Sequence, residues 1–232
     1  MKRIFSLIAT VVIAGSLTAQ IQVEPRISLV AAMGDYNLNY DKAFLFRGAA
    51  AAATGFGMGA DVTHPIGLIE NMDVFGSMDI FYNGLAKDLK ADLQADAPDA
   101  AINYNSYVNI PLMAGIKYYY VIPDIYLKTY VKGGIGLNTL FISDLGFEQP
   151  DLSQTFSFKP SVAGAATFGL GVILAEKYTV GFEFMHLGNH TPKGEMEEIK
   201  QESLKGFDIS DTFQPEELPV RTFRLTAGFL LF

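Results

Sequence analysis

Three histidines, His64, His186 and His190, are the first places to look for chemistry in this chain. His186 and His190 stand four apart, the spacing at which two imidazoles on one helical face share a metal ion. Here they end an alternating stretch, "VGFEFMHLGNH", that runs into "TP", so helical spacing does not apply. His186 shares parity with Phe184 and is expected at an outer interface. Thr191 beside His190 is not a nucleophile arrangement without a positioned base and a group to orient it. A deacylase strand would carry His and Ser two apart on one face, which neither "HLG" nor "HTP" provides. The carboxylates Asp61, Asp73, Asp79 and Glu183 could serve as acid/base pairs or metal ligands, but as many cations share their parity, and ion pairing is the simpler account. "GFGMGA" and "GGIGL" follow strand alternation and lack the G-x-G-x-x-G spacing of a phosphate loop. No catalytic residue, cofactor or metal is expected.

The elements that hold these residues read as strands. Eight segments alternate with period two, at 22–33, 50–64, 72–83, 106–121, 125–142, 160–174, 177–188 and 220–232. One parity carries the bulky apolar residues and none of the strands' Asp, Glu, Lys or Arg; Ile27 and Leu29, Met58 and Val62, and Phe223 and Leu225 are typical. The other parity carries the strand charges. Its acids are Glu24, Asp61, Asp73, Asp79 and Glu183; its bases are Arg26, Lys117, Lys128, Lys132 and Arg224. Glycine and hydroxylated residues fill the spaces between them.

An amphipathic eight-strand set closes as a barrel, either soluble with its apolar face inside or spanning a membrane with that face outside. An eight-stranded interior is only just wide enough to be filled by side chains. It cannot take the bulky Phe, Leu, Ile, Val and Met face, but it suits the glycine-rich one. The expected fold is therefore all-β: an eight-stranded antiparallel up-and-down transmembrane barrel. Short connections alternate with long ones at 34–49, 84–105, 143–159 and 189–219, the asymmetry of outer-membrane barrels with periplasmic turns and external loops. Tyr118, Tyr119, Tyr120, Tyr126 and Tyr178 at one end, and Tyr82, Tyr107, Phe141 and Phe158 at the other, are expected as interfacial girdles. Pro111, inside "VNIPLMAGIKYYY", cannot donate to a ladder and predicts a bulge or a pairing defect. In the fourth long connection, "EMEEIKQESLKGF" (195–207) allows a short amphipathic helix, although a solvated acidic loop is the simpler expectation.

Residues 1–19 read as a signal peptide: Lys2 and Arg3, an apolar run from Ile4 to Leu17, then Thr18-Ala19. That run is about 14 residues, short of the roughly 20 a spanning helix needs. The domains are thus 1–19, signal peptide, and 20–232, barrel. There is no cysteine, which removes disulfides and a lipidated N-terminal Cys. The net charge of −8 falls mainly on the long connections, and no segment is basic enough for nucleic acid. Ten charges inside a narrow tube should pair, Arg26 with Asp61 and Asp73 with Lys117, leaving a plugged lumen. A water-threaded narrow channel for small solutes is the alternative, and a lipid-modifying enzyme a more distant one. The acidic loops could also hold divalent cations shared with anionic lipid head groups.

The stretches "VNIPLMAGIKYYY", "YVKGGIGLN" and "FGLGVILAEKYTVGFEF", with the terminal Phe232, give residues 20–232 a likeness to a known group. The chain resembles the OmpA/OmpX-like outer-membrane barrels, in particular short barrels of Bacteroidetes type. That resemblance implies a bacterial outer-membrane location and contact with outer-membrane lipid and lipopolysaccharide. It also implies that the barrel-assembly machinery reads Phe232, whose parity is opposite to the run ending at Leu231. A structural or adhesive role toward an unidentified envelope or extracellular protein partner is expected.

Overall fold

A computed structural model describes residues 21–37, 49–66, 69–123, 127–150, 152–200, 211–213 and 216–231. The expected signal peptide, Tyr126, residues 201–207 of the fourth connection and Phe232 lie outside the described residues.

Alternation sets the architecture, because successive side chains on a strand point to opposite faces. Eight long strands carry it: β1 (Gln22–Met33), β2 (Gly55–Pro65), β3 (Met72–Gly84), β5 (Ser106–Ile122), β6 (Leu127–Ile142), β9 (Ser161–Leu174), β10 (Tyr178–His190) and β13 (Leu218–Phe229). They pair antiparallel in chain order and close, β13 against β1, into a barrel. The apolar parity faces outward, with Ile135 75% exposed and Ile27 67%, while Asp61 and Asp79 on the other parity are buried. No helix among the described residues is long and apolar enough to cross a membrane. The membrane-facing surface is the sheet itself.

The interior departs from the expected mixture of charges and small residues. Phe75, Phe81, Met113, Met185 and Val30 also point inward and are buried. Tyr107 and Tyr119, expected in the girdles, share the parity of Lys117 and are buried in the lumen as well. Tyr118, Tyr120, Tyr178, Tyr82 and Phe141 do lie exposed on the outer wall. Phe158 belongs to a different sheet, described below.

Pro111 interrupts pairing without shifting register. The β3–β5 ladder runs Met78↔Leu112 and resumes at Phe81↔Asn109 on the same diagonal, while β5–β6 pairing continues through Pro111↔Asn138. The missing amide therefore costs a local lapse on one side only.

The long connections are built structures. The second contains a helix, α1 (Lys87–Asp96), with Leu89 and Leu93 buried, and the short strand β4 (Ala101–Asn103). The third supplies β7 (Leu145–Gln149) and β8 (Leu152–Phe158); the fourth supplies β11 (Gly194–Lys200) and β12 (Asp211–Phe213). These form a second sheet in the order β12-β11-β8-β7-β4. Residues 195–200, where a helix or a solvated loop was expected, are thus a strand paired with β8. The helix lies instead in the second connection. Residues 50–54, expected at the start of a strand, are not part of β2. Ala49 to Ala52 are fully buried in the barrel mouth, with the Ala52 amide donating to Tyr36 O and the Ala86 amide to Ala51 O. A run of single methyl groups fits where longer side chains would clash.

Candidate functional site

The most organised chemistry lies inside the barrel. Arg26 on β1 pairs with Asp61 on β2 and donates through Nε and Nη2 to Asp79 on β3, at 3.1 and 2.8 Å. Asp61 accepts from Lys132 Nζ on β6 at 3.0 Å. Lys132 lies 2.6 Å from Glu183 on β10, and Glu183 accepts from Arg224 Nε on β13 at 3.0 Å. Arg224 closes the circuit on Asp79 at 2.9 Å. The result is a cycle of six charges with signs alternating at every step, three of each, drawn from six strands. Each of these residues is at most 5% exposed. Opposite charges in a low-dielectric interior hold only when each has partners on more than one side, and here each has two or more.

Glu24 and Lys117 form a satellite pair beside this cycle. Lys117 Nζ donates to Glu24 at 2.9 Å and lies 4.2 Å from the Tyr130 ring centroid; Thr179 Oγ1 donates to the other Glu24 oxygen at 2.6 Å. The expected Arg26–Asp61 pair is present. The expected Asp73–Lys117 pair is not: the two are opposite in register, but Lys117 reaches across the lumen to Glu24. The physical reason is depth. Asp73 is half-buried at the short-turn mouth, where water competes for it, whereas Glu24 is 2% exposed and depends on the ammonium. Lys128 also lies at that mouth, 3.8 Å from the Tyr119 ring centroid. Eight of the ten expected charges therefore meet in the interior and two lie at its entrance.

Glycine makes room for the crossing side chains. A Cβ on Gly59 would fall against Asp79 Oδ1, and one on Gly181 against the Tyr130 hydroxyl. The Asp79 carboxylate and the Tyr130 ring occupy the space that side chains at those points would take.

Toward the long connections the interior becomes neutral but stays polar. Asn138 Nδ2 donates to Asn109 at 2.8 Å, Asn109 Nδ2 to the Tyr36 hydroxyl at 3.0 Å, and that hydroxyl to Asn83 at 3.4 Å. Asn83 in turn donates to Ala53 O at 2.8 Å, tying the alanine segment to β3. Tyr36 lies in the 3-10 turn after β1, and burial holds its hydroxyl well above the ordinary phenol range, with the Asn109 hydrogen bond opposing.

His186 keeps its outward parity and is half-buried. His190 does not follow from simple counting. Pairing of β10 with β13 shifts between His186 and Asn189, where Gly188 takes a φ of +98°. The bulge turns His190 inward, fully buried, with Nδ1 2.7 Å from Ser161 Oγ and Nε2 3.0 Å from Leu187 O. The only signal for this contact was the Gly188-Asn189 dipeptide, a local invitation to a bulge. Serine and histidine are in hydrogen-bond reach, but the ring is enclosed, and its second nitrogen lies between Leu187 O of its own strand and Asn138 Nδ2, 3.1 Å away. The arrangement locks the bulge to β9. Among the described residues, no three His, Asp or Glu side chains converge as metal ligands.

No family model and no curated protein matches the chain. Solved structures do. A major outer membrane protein of Thermus thermophilus aligns at 10% identity over 91% of this chain and 99% of its own, with a TM-score of 0.54. The outer membrane protein OprG of Pseudomonas aeruginosa aligns at 11% identity over 92% and 96%, with a TM-score of 0.50. Neisserial surface protein A aligns at 10% identity over 91% and 96%, with a TM-score of 0.45. At such identities the likeness concerns the fold alone. With the apolar exterior and closed sheet, the chain is an eight-stranded barrel of the bacterial outer membrane.

Proposed function

We propose that this barrel is a non-enzymatic structural or interaction protein with a lumen sealed by its own ion pairs and a working surface built from its long connections. The closed cycle of Arg26, Asp61, Lys132, Glu183, Arg224 and Asp79 carries the reading. A solute crossing the lumen would have to separate several buried pairs at once, each costing a few kcal/mol when one partner is left alone. The buried alanine segment and α1 above the cycle support the same conclusion.

By the asymmetry of such barrels the short turns face the periplasm and the long connections lie outside the cell. There the acidic connections and their second sheet offer a surface for adhesion, for membrane integrity or for docking another envelope protein. Outer-membrane lipid and lipopolysaccharide surround the wall, residues 1–19 are removed on export, and the assembly machinery reads Phe232. Planar-bilayer recording tests the seal: the reconstituted chain is expected to give no steady conductance. Stable unitary steps would replace this reading with that of a narrow channel. Deleting the long connections one at a time and scoring pull-down from envelope extracts tests the working surface; at least one deletion should abolish partner capture.

A further inference from the structure

The outer wall is not uniform. Where the first and last strands meet, two adjoining grooves of about 690 and 460 Å³ share Ile27, Met58 and Ala227 and so run on along β1. In the larger groove Ala60, Ala227 and Gly228 leave low points among the taller Ile27, Met58, Met78, Ile80 and Phe229. The sheet beneath also has a lapse in one ladder here, although β1 stays paired with β2 on its other side. The β1–β13 ladder pairs Arg26 with Gly228 and is next joined at Val23↔Leu231, so Glu24 and Pro25 are skipped, and Pro25 has no amide to donate.

We infer that this groove is a seat for one acyl chain of a membrane lipid, held along the closing seam in preference to the rest of the wall. The inference rests on the membrane-spanning fold and not on the sealed lumen. The groove opens within the apolar outer belt, where hydrocarbon is the surrounding medium. A polypeptide segment entering there would bring backbone amides with nothing to satisfy them. An acyl chain also fills the space over the skipped pairs and keeps water from the unpaired main chain. A second copy of the barrel is the competing occupant.

The chain has no tryptophan, so a single introduced indole reports locally. Met78→Trp places it on the groove rim, and Ile135→Trp on β6 serves as a control on open wall. Each variant is reconstituted in vesicles of short-chain phosphatidylcholine into which a brominated phosphatidylcholine of longer chain is titrated, so that the two lipids compete for each site on the wall. Quenching at Met78→Trp is expected to give a lipid association constant at least threefold above that at Ile135→Trp. Filling the floor with Ala60→Phe and Ala227→Phe should return it to the control value. Equal quenching at the two positions, or no response to filling, overturns the inference. Protection of Met78→Trp with dimers trapped by cross-linking also overturns it, in favour of a second copy. Absence of quenching at both positions would overturn the membrane placement itself, a failure distinct from loss of the groove alone.

Discussion

At the residue scale, the interior charges act as a set. Glu183 meets Arg224, Lys132 and Arg26, so Glu183→Gln leaves three cations around a neutral amide. Removing one partner of a buried pair costs about 3–5 kcal/mol. That loss should appear as a lower urea midpoint for unfolding from vesicles. Pairing the change with Lys132→Met restores neutrality, and the double variant should lose clearly less than the sum of the two single changes. Asp73→Asn, at the half-buried mouth, is expected to shift stability by no more than about 1 kcal/mol. Equal losses for Glu183→Gln and Asp73→Asn would mean that the cycle is no stronger than a surface pair.

At the element scale, the short turns hold strain that the strands override. The β9–β10 turn has Ala175 at φ +48° and Glu176 at φ +56°, the signs of a type I′ hairpin turn, closed by the Lys177 amide donating to Leu174 O at 3.1 Å. Side chains resist that region by roughly 1–2 kcal/mol per residue, whereas glycine enters it freely. Glu176→Gly should therefore stabilise the barrel by about 1 kcal/mol without changing its register, read as a higher urea midpoint. A decrease would show that the Glu176 side chain makes a contact worth more than the strain. Pro111 teaches the same lesson from the other direction. One ladder lapses, but neighbouring pairs on both strands hold the register, because a one-residue slip would send every apolar side chain into the lumen.

At the scale of the whole molecule, stability depends on which medium touches which face. Ile135, midway along β6 and 75% exposed, faces hydrocarbon. Ile135→Arg is expected to cost roughly 2–4 kcal/mol in vesicles, the penalty for a cation at the midplane of a barrel wall. Were the wall wetted instead, the change would be nearly silent. The long connections add a second body to the barrel. Because β4, β7, β8, β11 and β12 come from three different connections, the second sheet requires the barrel to hold those connections at one end.

Alternation, with the volume of an eight-stranded interior, determined the eight barrel strands, most of their boundaries to within a few residues, the lipid-facing set and the closed topology. The same parity placed Tyr107 and Tyr119 inside, although their aromatic character suggested the interface. Which charge meets which was not local. Lys117 faces Asp73 in register yet binds Glu24 across the tube, because burial depth chooses the partner, and depth depends on the rolled sheet. The inward turn of His190 hung on one bulge, and the second sheet on strands too short to announce themselves before their neighbours were in place. Period fixes which way a side chain points; only closure of the barrel decides what it meets there.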